Sequence, residues 1–164
     1  MPKYNILQEG ASYTFRSYCE MNAEPEDILS DLGYQLLTAR LVLPKTSTVL
    51  GWEGELQARL ERSLMVVTLT SEMARRESTQ SVVVIEAKRD DLTRGFTQLA
   101  AGVIAVAQLQ ELESVYGAVT IGDAWRFGYL DAVNKTITQD IALYRIPDDL
   151  TQIVNTLVGI LEGP

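Results

Sequence analysis

The sequence predicts an α/β fold, with helices flanking a central mixed sheet, and three observations predict it. Residues 82–88 (VVVIEAK) begin with a run of β-branched residues, which is typical of a strand buried on both faces in a partly parallel sheet. Apolar residues then recur at the helical period from Leu92 to about Leu112, so strand and helix read as a βα unit. Residues 116–122 and 124–131 alternate as two further strands, which indicates an antiparallel meander.

Elements of the N-terminal half follow from caps and periodicity. Thr14 is expected to cap a short helix over residues 15–21 (FRSYCEM), and Glu24-Pro25 to start a second helix that stops at Gly33. Residues 34–43 are predicted as a strand closed by proline. Residues 52–64 carry apolar side chains four apart, which predicts an amphipathic helix.

The rest of the chain is predicted in the same way. Residues 65–69 fit either a continued helix or a short strand, and residues 71–77 (SEMARRE) are predicted as a fresh helix with Glu72 and Arg76 one turn apart. Residues 136–146 are predicted as a strand, and residues 150–161 as a final helix capped by Pro147-Asp148-Asp149.

Composition bounds the class of protein. A chain of 164 residues is long enough for one compact domain, in which segment 1–70 is expected to pack on a core formed by segment 71–164. No apolar run is long enough to span a bilayer and the first residues lack a signal-peptide core, so a cytoplasmic protein without membrane attachment is expected.

Histidine is absent and Cys19 is the only cysteine, which narrows the available chemistry. Ser-His and Cys-His nucleophile pairs, a histidine general base and the usual zinc sites are all excluded. A hydrolytic metal centre must then use carboxylates, which favours Mg²⁺ or Mn²⁺. The net charge of −8 counts against broad nonspecific affinity for nucleic acid, because that affinity comes from Lys and Arg.

Glu86 and Lys88 form an E-x-K pair at the end of the predicted central strand. Strand side chains alternate, so residues two apart project from the same face. Such a pair suits metal-assisted phosphodiester hydrolysis: Glu86 and the carbonyl of Ala87 supply oxygens to Mg²⁺, and Lys88 orients a water or neutralises phosphate charge. The alternative is a structural ion pair where the strand leaves the sheet.

Taken together, SEMARRE, VVVIEAKRDDL, the helix containing FTQLAAGVIA and the strands YGAVTIGD and WRFGYLD resemble the PD-(D/E)XK superfamily, which has the restriction-endonuclease-like fold. The resemblance covers most of the chain and is nearest to small cyanobacterial members of that superfamily. It implies a Mg²⁺- or Mn²⁺-dependent endonuclease that acts on DNA.

The resemblance also implies roles for individual residues. Glu86 and Lys88 match the (D/E)xK element. Glu72 matches the acidic residue on the first core helix and is implied as a second metal ligand. Gln98 matches the glutamine on the helix that follows the motif. Arg76, the companion of Glu72, and Arg89, directly after the motif, are the expected DNA-binding cations.

The sequence departs from the superfamily pattern before the motif. Only residues 78–81 separate SEMARRE from residue 82, too few for the two strands expected there. Either residues 65–69 take their place or the strands are absent, and in both cases no aspartate occupies the metal-anchoring position. This departure motivates the alternative function: a non-catalytic module that binds protein or forms a homodimer through the sheet edge left by the missing strands. A strictly monomeric species in light scattering at high concentration would count against that homodimer.

Overall fold

A computed structural model describes residues 24–47, 51, 72–75, 82–87 and 92–163. Its helices are α1 (Pro25–Asp31), α2 (Leu92–Gln110) and α3 (Leu150–Glu162). Its strands are β1 (Gln35–Ala39), β2 (Glu72–Arg75), β3 (Val82–Ala87), β4 (Ser114–Thr120), β5 (Ala124–Asp131), β6 (Thr136–Asp140) and β7 (Tyr144–Arg145). None of the helices in these ranges is long and apolar enough to cross a membrane.

The described strands form one mixed sheet, in the order β1-β6-β5-β4-β3-β2, with β7 paired to β5. β3 runs parallel to β4, and β1 runs parallel to β6, whereas β2–β3, β4–β5, β5–β6 and β5–β7 are antiparallel. A parallel connection needs a crossover, and α2 provides it between β3 and β4. The sheet therefore joins a βαβ unit to an antiparallel meander.

Hydrophobic clusters cover both faces of the sheet. On one face, α1 and α2 pack on β4, β5 and β6 through residues that include Leu29, Phe96 and Val119. On the other face, α3 packs through Ile153 and Ile160 on Ala118 and Phe127. Alternate residues of β4 therefore serve opposite cores, as expected for a strand buried on both sides.

The α/β class predicted from the sequence is confirmed. The strand over 82–87, the helix from Leu92, the two strands of the meander and the final helix all lie where the patterns predicted them. α1 begins at Pro25 and ends before Gly33, whose φ of +79° is the left-handed conformation that glycine adopts without strain. The strand predicted over 34–43 is confirmed in shortened form as β1.

The helix predicted over residues 71–77 is wrong where it can be compared. Residues Glu72–Arg75 form β2, which pairs antiparallel with Val82–Ile85 of β3. Helix propensity and one Glu-Arg pair are worth only tenths of a kcal/mol, and the β-branched partner strand overrides them. β2 also lies along the edge of β3 that missing strands were expected to expose.

The homodimer stays a prediction, and the outermost strands of the described sheet are β1 and β2. β1 is the outermost strand on its side of the described sheet, and four of its five residues are exposed. Over Gln35–Ala39 it carries no charge, although charge is a common protection of strand edges. β1 comes from segment 1–70 and pairs with β6 from segment 71–164.

Residues 136–146 were predicted as one strand and form two. β6 ends at Asp140, and β7 (Tyr144–Arg145) pairs with the start of β5. The final helix begins at Leu150 as predicted, and Asp149 is its N-cap residue. The Asp149 side chain makes no capping hydrogen bond, however, because it accepts a hydrogen bond from the Arg145 N–H at 2.8 Å. The predicted helices over 15–21 and 52–64, and the ambiguous segment 65–69, lie outside the described residues.

Gly159 lets the segment at residues 45–46, which follows β1, pass close to α3. The Thr46 N–H donates to the Asn155 carbonyl at 3.0 Å, and a Cβ built at Gly159 would stand 2.7–2.8 Å from the backbone of Lys45. Replacing glycine by alanine inside a helix usually stabilises a protein by about 0.5–1 kcal/mol. Here Gly159→Ala is expected to lower the free energy of unfolding, measured in urea, by about 1–3 kcal/mol, because the backbone of Lys45 must move to make room for the new Cβ.

Thr151→Ala, at an exposed position of the same helix, is the control for that substitution and is expected to change stability by less than about 0.5 kcal/mol. An increase in stability of Gly159→Ala would contradict the close approach of Lys45 to α3.

Candidate functional site

The candidate site lies where β3 and β4 end side by side. β3 ends at Ala87, which pairs with Thr120, the last residue of β4. In open α/β sheets, ligands bind outside the carboxyl ends of parallel strands. Of the predicted site residues, Glu86 lies in β3 one residue before this end, whereas Lys88, Arg76 and Arg89 lie outside the described residues.

The sheet register places Glu86 in a row with two residues of the neighbouring strands. Glu86 is opposite Val119 of β4, and Val119 is opposite Arg126 of β5. Directly paired positions share one face of a sheet, and neighbouring strands are about 4.8 Å apart. The Cα atoms of Glu86 and Arg126 are therefore about 10 Å apart, two interstrand spacings, across Val119.

The row belongs to the face of the sheet covered by α2. Val119 is fully buried in the cluster that α2 forms with the sheet. Two residues further from this end of β4, a Cβ built at Gly117 would stand 2.7–3.1 Å from Leu99 and Val103. A Cβ built at its partner Gly128 would stand 2.9–3.0 Å from Phe96. The absence of side chains at these glycines lets α2 lie directly on β4 and β5.

Glu72 occupies a different row of the sheet. Its register partner is Ile85, and successive strand residues alternate between faces, so positions 72 and 86 belong to opposite rows. A role of Glu72 as a second ligand beside Glu86 stays a prediction, but the helix on which it was predicted is a strand.

Gln98 is buried in the first half of α2, with 7% of its surface exposed. Successive helical residues are about 100° apart, so Gln98 is about 100° from Leu99 and about 160° from Phe96 around the axis. Both of those residues contact the sheet. Gln98 therefore lies on the side of α2 turned away from these contacts, and its proximity to the motif stays a prediction.

Arg126 is a candidate residue that sequence patterns did not identify. It is half-buried in β5, and its Nε atom is buried with no hydrogen-bond partner in the described part of the chain. The signal was present in the sequence, because Arg126 is the only cation in the strand AWRFGYLD. A cation between aromatic residues of a buried strand needs a partner or a ligand.

Asp140 is a second buried charged residue that the patterns missed, on the α3 face. Its carboxylate is fully buried and accepts hydrogen bonds from the Leu41 N–H at 3.4 Å, the Ala142 N–H at 2.9 Å and the Tyr144 hydroxyl at 3.3 Å. Burial, and then the Asp140 charge, raise the pKa of the Tyr144 hydroxyl above its usual value. The cluster ties the segments after β1 and β6 to β7 and has a structural role.

Among the described side chains, no group of three or more acidic residues lies close enough together to hold a metal ion.

No protein-family model matches this chain, no functionally curated protein matches it, and no solved structure matches it.

Proposed function

We propose that this protein hydrolyses DNA phosphodiesters with a divalent cation bound at the carboxyl end of β3. The position of Glu86 is the observation that carries the proposal. Glu86 lies one residue from the end of an inner strand, beside parallel β4, where α/β sheets present ligand sites. DNA as the substrate, and the PD-(D/E)XK resemblance that implies it, belong to the same proposal.

The donors at this end of β3 fit Mg²⁺ or Mn²⁺. The Glu86 carboxylate and the Ala87 carbonyl supply two hard oxygen ligands, and Mg²⁺ commonly binds one or two carboxylates while keeping several waters.

Each residue then has a defined task. When bound, the cation polarises a phosphoryl oxygen and lowers the pKa of bound water. Glu86 and Ala87 hold the cation in place. Lys88 orients the attacking water and offsets the negative charge that develops on the phosphate. Because the net charge is −8, the protein must bind DNA through locally placed cations, since its overall charge repels the phosphate backbone.

Cleavage of supercoiled plasmid DNA in Mg²⁺ or Mn²⁺ tests the proposal. We expect nicking by the wild-type protein and a loss of about 100-fold or more in Lys88→Gln, the scale seen when a single group that stabilises charge is removed. Lys135→Asn is the matched control, because it removes one exposed cation at a φ of +51°, a conformation that asparagine tolerates.

Cleavage by Lys135→Asn at the wild-type rate, with loss in Lys88→Gln, is the expected pattern. Equal cleavage by wild type and Lys88→Gln would assign the activity to a contaminant and contradict the proposal. Absence of cleavage in every protein would also contradict it and would favour the alternative, a nuclease-like scaffold kept for protein binding or homodimer assembly.

A further inference from the structure

β1 directs backbone hydrogen-bonding groups away from the described sheet. It is outermost on its side and pairs in parallel with β6. Gln35 and Ala39, at its two ends, form their backbone hydrogen bonds toward β6 and the residues that flank it. Successive strand residues direct their N–H and C=O groups to opposite sides. Leu36 and Thr38 therefore direct theirs to the open edge of the described sheet.

The sequence of β1 is self-complementary in antiparallel pairing. When two copies of QLLTA pair about a two-fold axis at Leu37, all five residues of the strand overlap. Leu36 of each copy then lies opposite Thr38 of the other copy. These are the residues with outward backbone groups, and antiparallel partners of this kind exchange both N–H···O=C bonds.

Leu37 would meet its own copy at the centre of that pairing. It is 39% exposed, and its backbone groups point toward β6, so the two Leu37 residues form a non-hydrogen-bonded pair. The Cα atoms of such a pair are about 4.5 Å apart. The two leucine side chains would therefore bury each other, and a hydrophobic cross-strand pair stabilises a sheet.

Further exposed apolar side chains stand beside the end of β1. The Leu41 and Ala142 N–H groups both donate to the buried Asp140 carboxylate, which holds the segments after β1 and β6 side by side. These segments expose three large apolar residues, namely Val42, Ile141 and Leu143. Together with Leu37 they are four of the six exposed large hydrophobic residues in the described ranges. A group of this kind marks an interaction surface.

Charges on either side of β1 favour the antiparallel arrangement. Residues 24–34, before the strand, contain four acids and no cation, whereas residues 40–47, after it, contain two cations and no acid. Both cations and three of the acids are exposed, namely Arg40, Lys45, Glu24, Glu26 and Asp27. Two-fold antiparallel pairing brings the acidic segment of each copy toward the basic segment of the other. Parallel pairing would bring like charges together, which opposes association.

We propose that this protein forms a two-fold homodimer in which β1 of one copy pairs antiparallel with β1 of the other, centred on Leu37. The same surface of both copies forms the interface, so the assembly closes at two chains. Pairing also protects an uncharged strand edge that would otherwise recruit other chains. The inference concerns assembly and is independent of DNA cleavage and cation binding.

Sedimentation equilibrium of the full chain, without DNA or divalent cation, tests the dimer. Leu37→Lys places two ammonium groups opposite each other and removes two buried leucines, so we expect the dimer dissociation constant to rise about 100-fold. Leu109→Lys is the matched control, because Leu109 is 84% exposed on α2. We expect it to keep the wild-type dissociation constant.

Thr38→Pro tests the backbone pairing separately from the leucine contact. Proline is tolerated on an edge strand where the missing N–H faces outward, so the fold is expected to persist. The two-fold pairing loses one hydrogen bond from each copy, and we expect the dissociation constant to rise about tenfold or more.

Cross-linking tests the register. In a Cys19→Ser background, Leu37→Cys is oxidised with diamide and analysed on a gel without reductant. Cysteines with Cα atoms about 4.4–6.8 Å apart form disulfides, so we expect a covalent dimer. Leu109→Cys in the same background is expected to stay monomeric on the gel.

The outcomes decide the assignment without reference to catalysis. A wild type that stays monomeric at high concentration would overturn it. Unchanged dimers in both Leu37→Lys and Thr38→Pro, or equal cross-linking of Leu37→Cys and Leu109→Cys, would also overturn it. If circular dichroism shows that Leu37→Lys does not fold, Thr38→Pro and the cross-link decide. A β1-dependent dimer without cleavage would support the assembly and reject the nuclease, whereas Lys88-dependent cleavage by a strict monomer would do the reverse.

Discussion

Replacing Asp140 with alanine is expected to lower the free energy of unfolding by about 3 kcal/mol, because three donors lose their acceptor, two of them part-buried and one, the Tyr144 hydroxyl, buried, and a buried donor left without an acceptor costs about 1–3 kcal/mol. The carboxylate accepts from Leu41, Ala142 and Tyr144 and is fully buried. A loss of this size is a large part of the free energy of unfolding of a typical domain, which is about 5–15 kcal/mol. Urea unfolding followed by circular dichroism measures it.

Two variants divide the contributions to that loss. Asp140→Asn keeps an oxygen for the Leu41 and Ala142 N–H groups, so it is expected to cost less than alanine. Tyr144→Phe removes only the hydroxyl donor and is expected to cost about 1 kcal/mol. Asp123→Ala, which removes an exposed carboxylate, is the control for charge, and equal stability of Asp140→Ala and Asp123→Ala would contradict the role of Asp140.

Much of the fold was predictable because long periodic segments decide their own structure. For the apolar stripe from Leu92 and the β-branched run in β3, the local preference for helix or strand agrees with the structure that the folded chain requires. Even the parallel pairing of β3 follows from the intervening helix, since parallel strands need a crossover. These elements position the candidate site at the end of β3.

The errors arose where distant contacts override weak local preferences. In SEMARRE, the pairing of Met73 and Ala74 with Val84 and Val83 outweighs helix propensity. In residues 136–146, Asp140 continues the strand pattern in sequence, but its carboxylate accepts the Ala142 N–H two residues on and turns the chain toward β7. Local patterns give no information about these partners.

The site was predictable only in part. Glu86 and Lys88 are only two residues apart, so their alternation is local and predicts a candidate site at the end of β3 from sequence alone. Arg126 is far from Glu86 in sequence, and only the register of two strand pairs, Glu86 with Val119 and Val119 with Arg126, places them in one row. The register between strands is fixed when the strands pair in the folded protein. The residue pattern of a single strand does not specify which residue of a neighbouring strand lies opposite it.

Titration with Mn²⁺ followed by electron paramagnetic resonance tests most directly whether Glu86 holds a divalent cation at the carboxyl end of β3. Loss of an outer-shell partner lowers metal affinity about 10–100-fold, so removing a direct ligand in Glu86→Gln is expected to lower it about 100-fold or more. Glu113→Gln, which neutralises an exposed carboxylate before β4, is the matched control.

We expect one Mn²⁺ per chain in the wild type and in Glu113→Gln, and its loss in Glu86→Gln. Binding of Mn²⁺ by Glu86→Gln with the wild-type affinity, or no binding by the wild type, would contradict the claim.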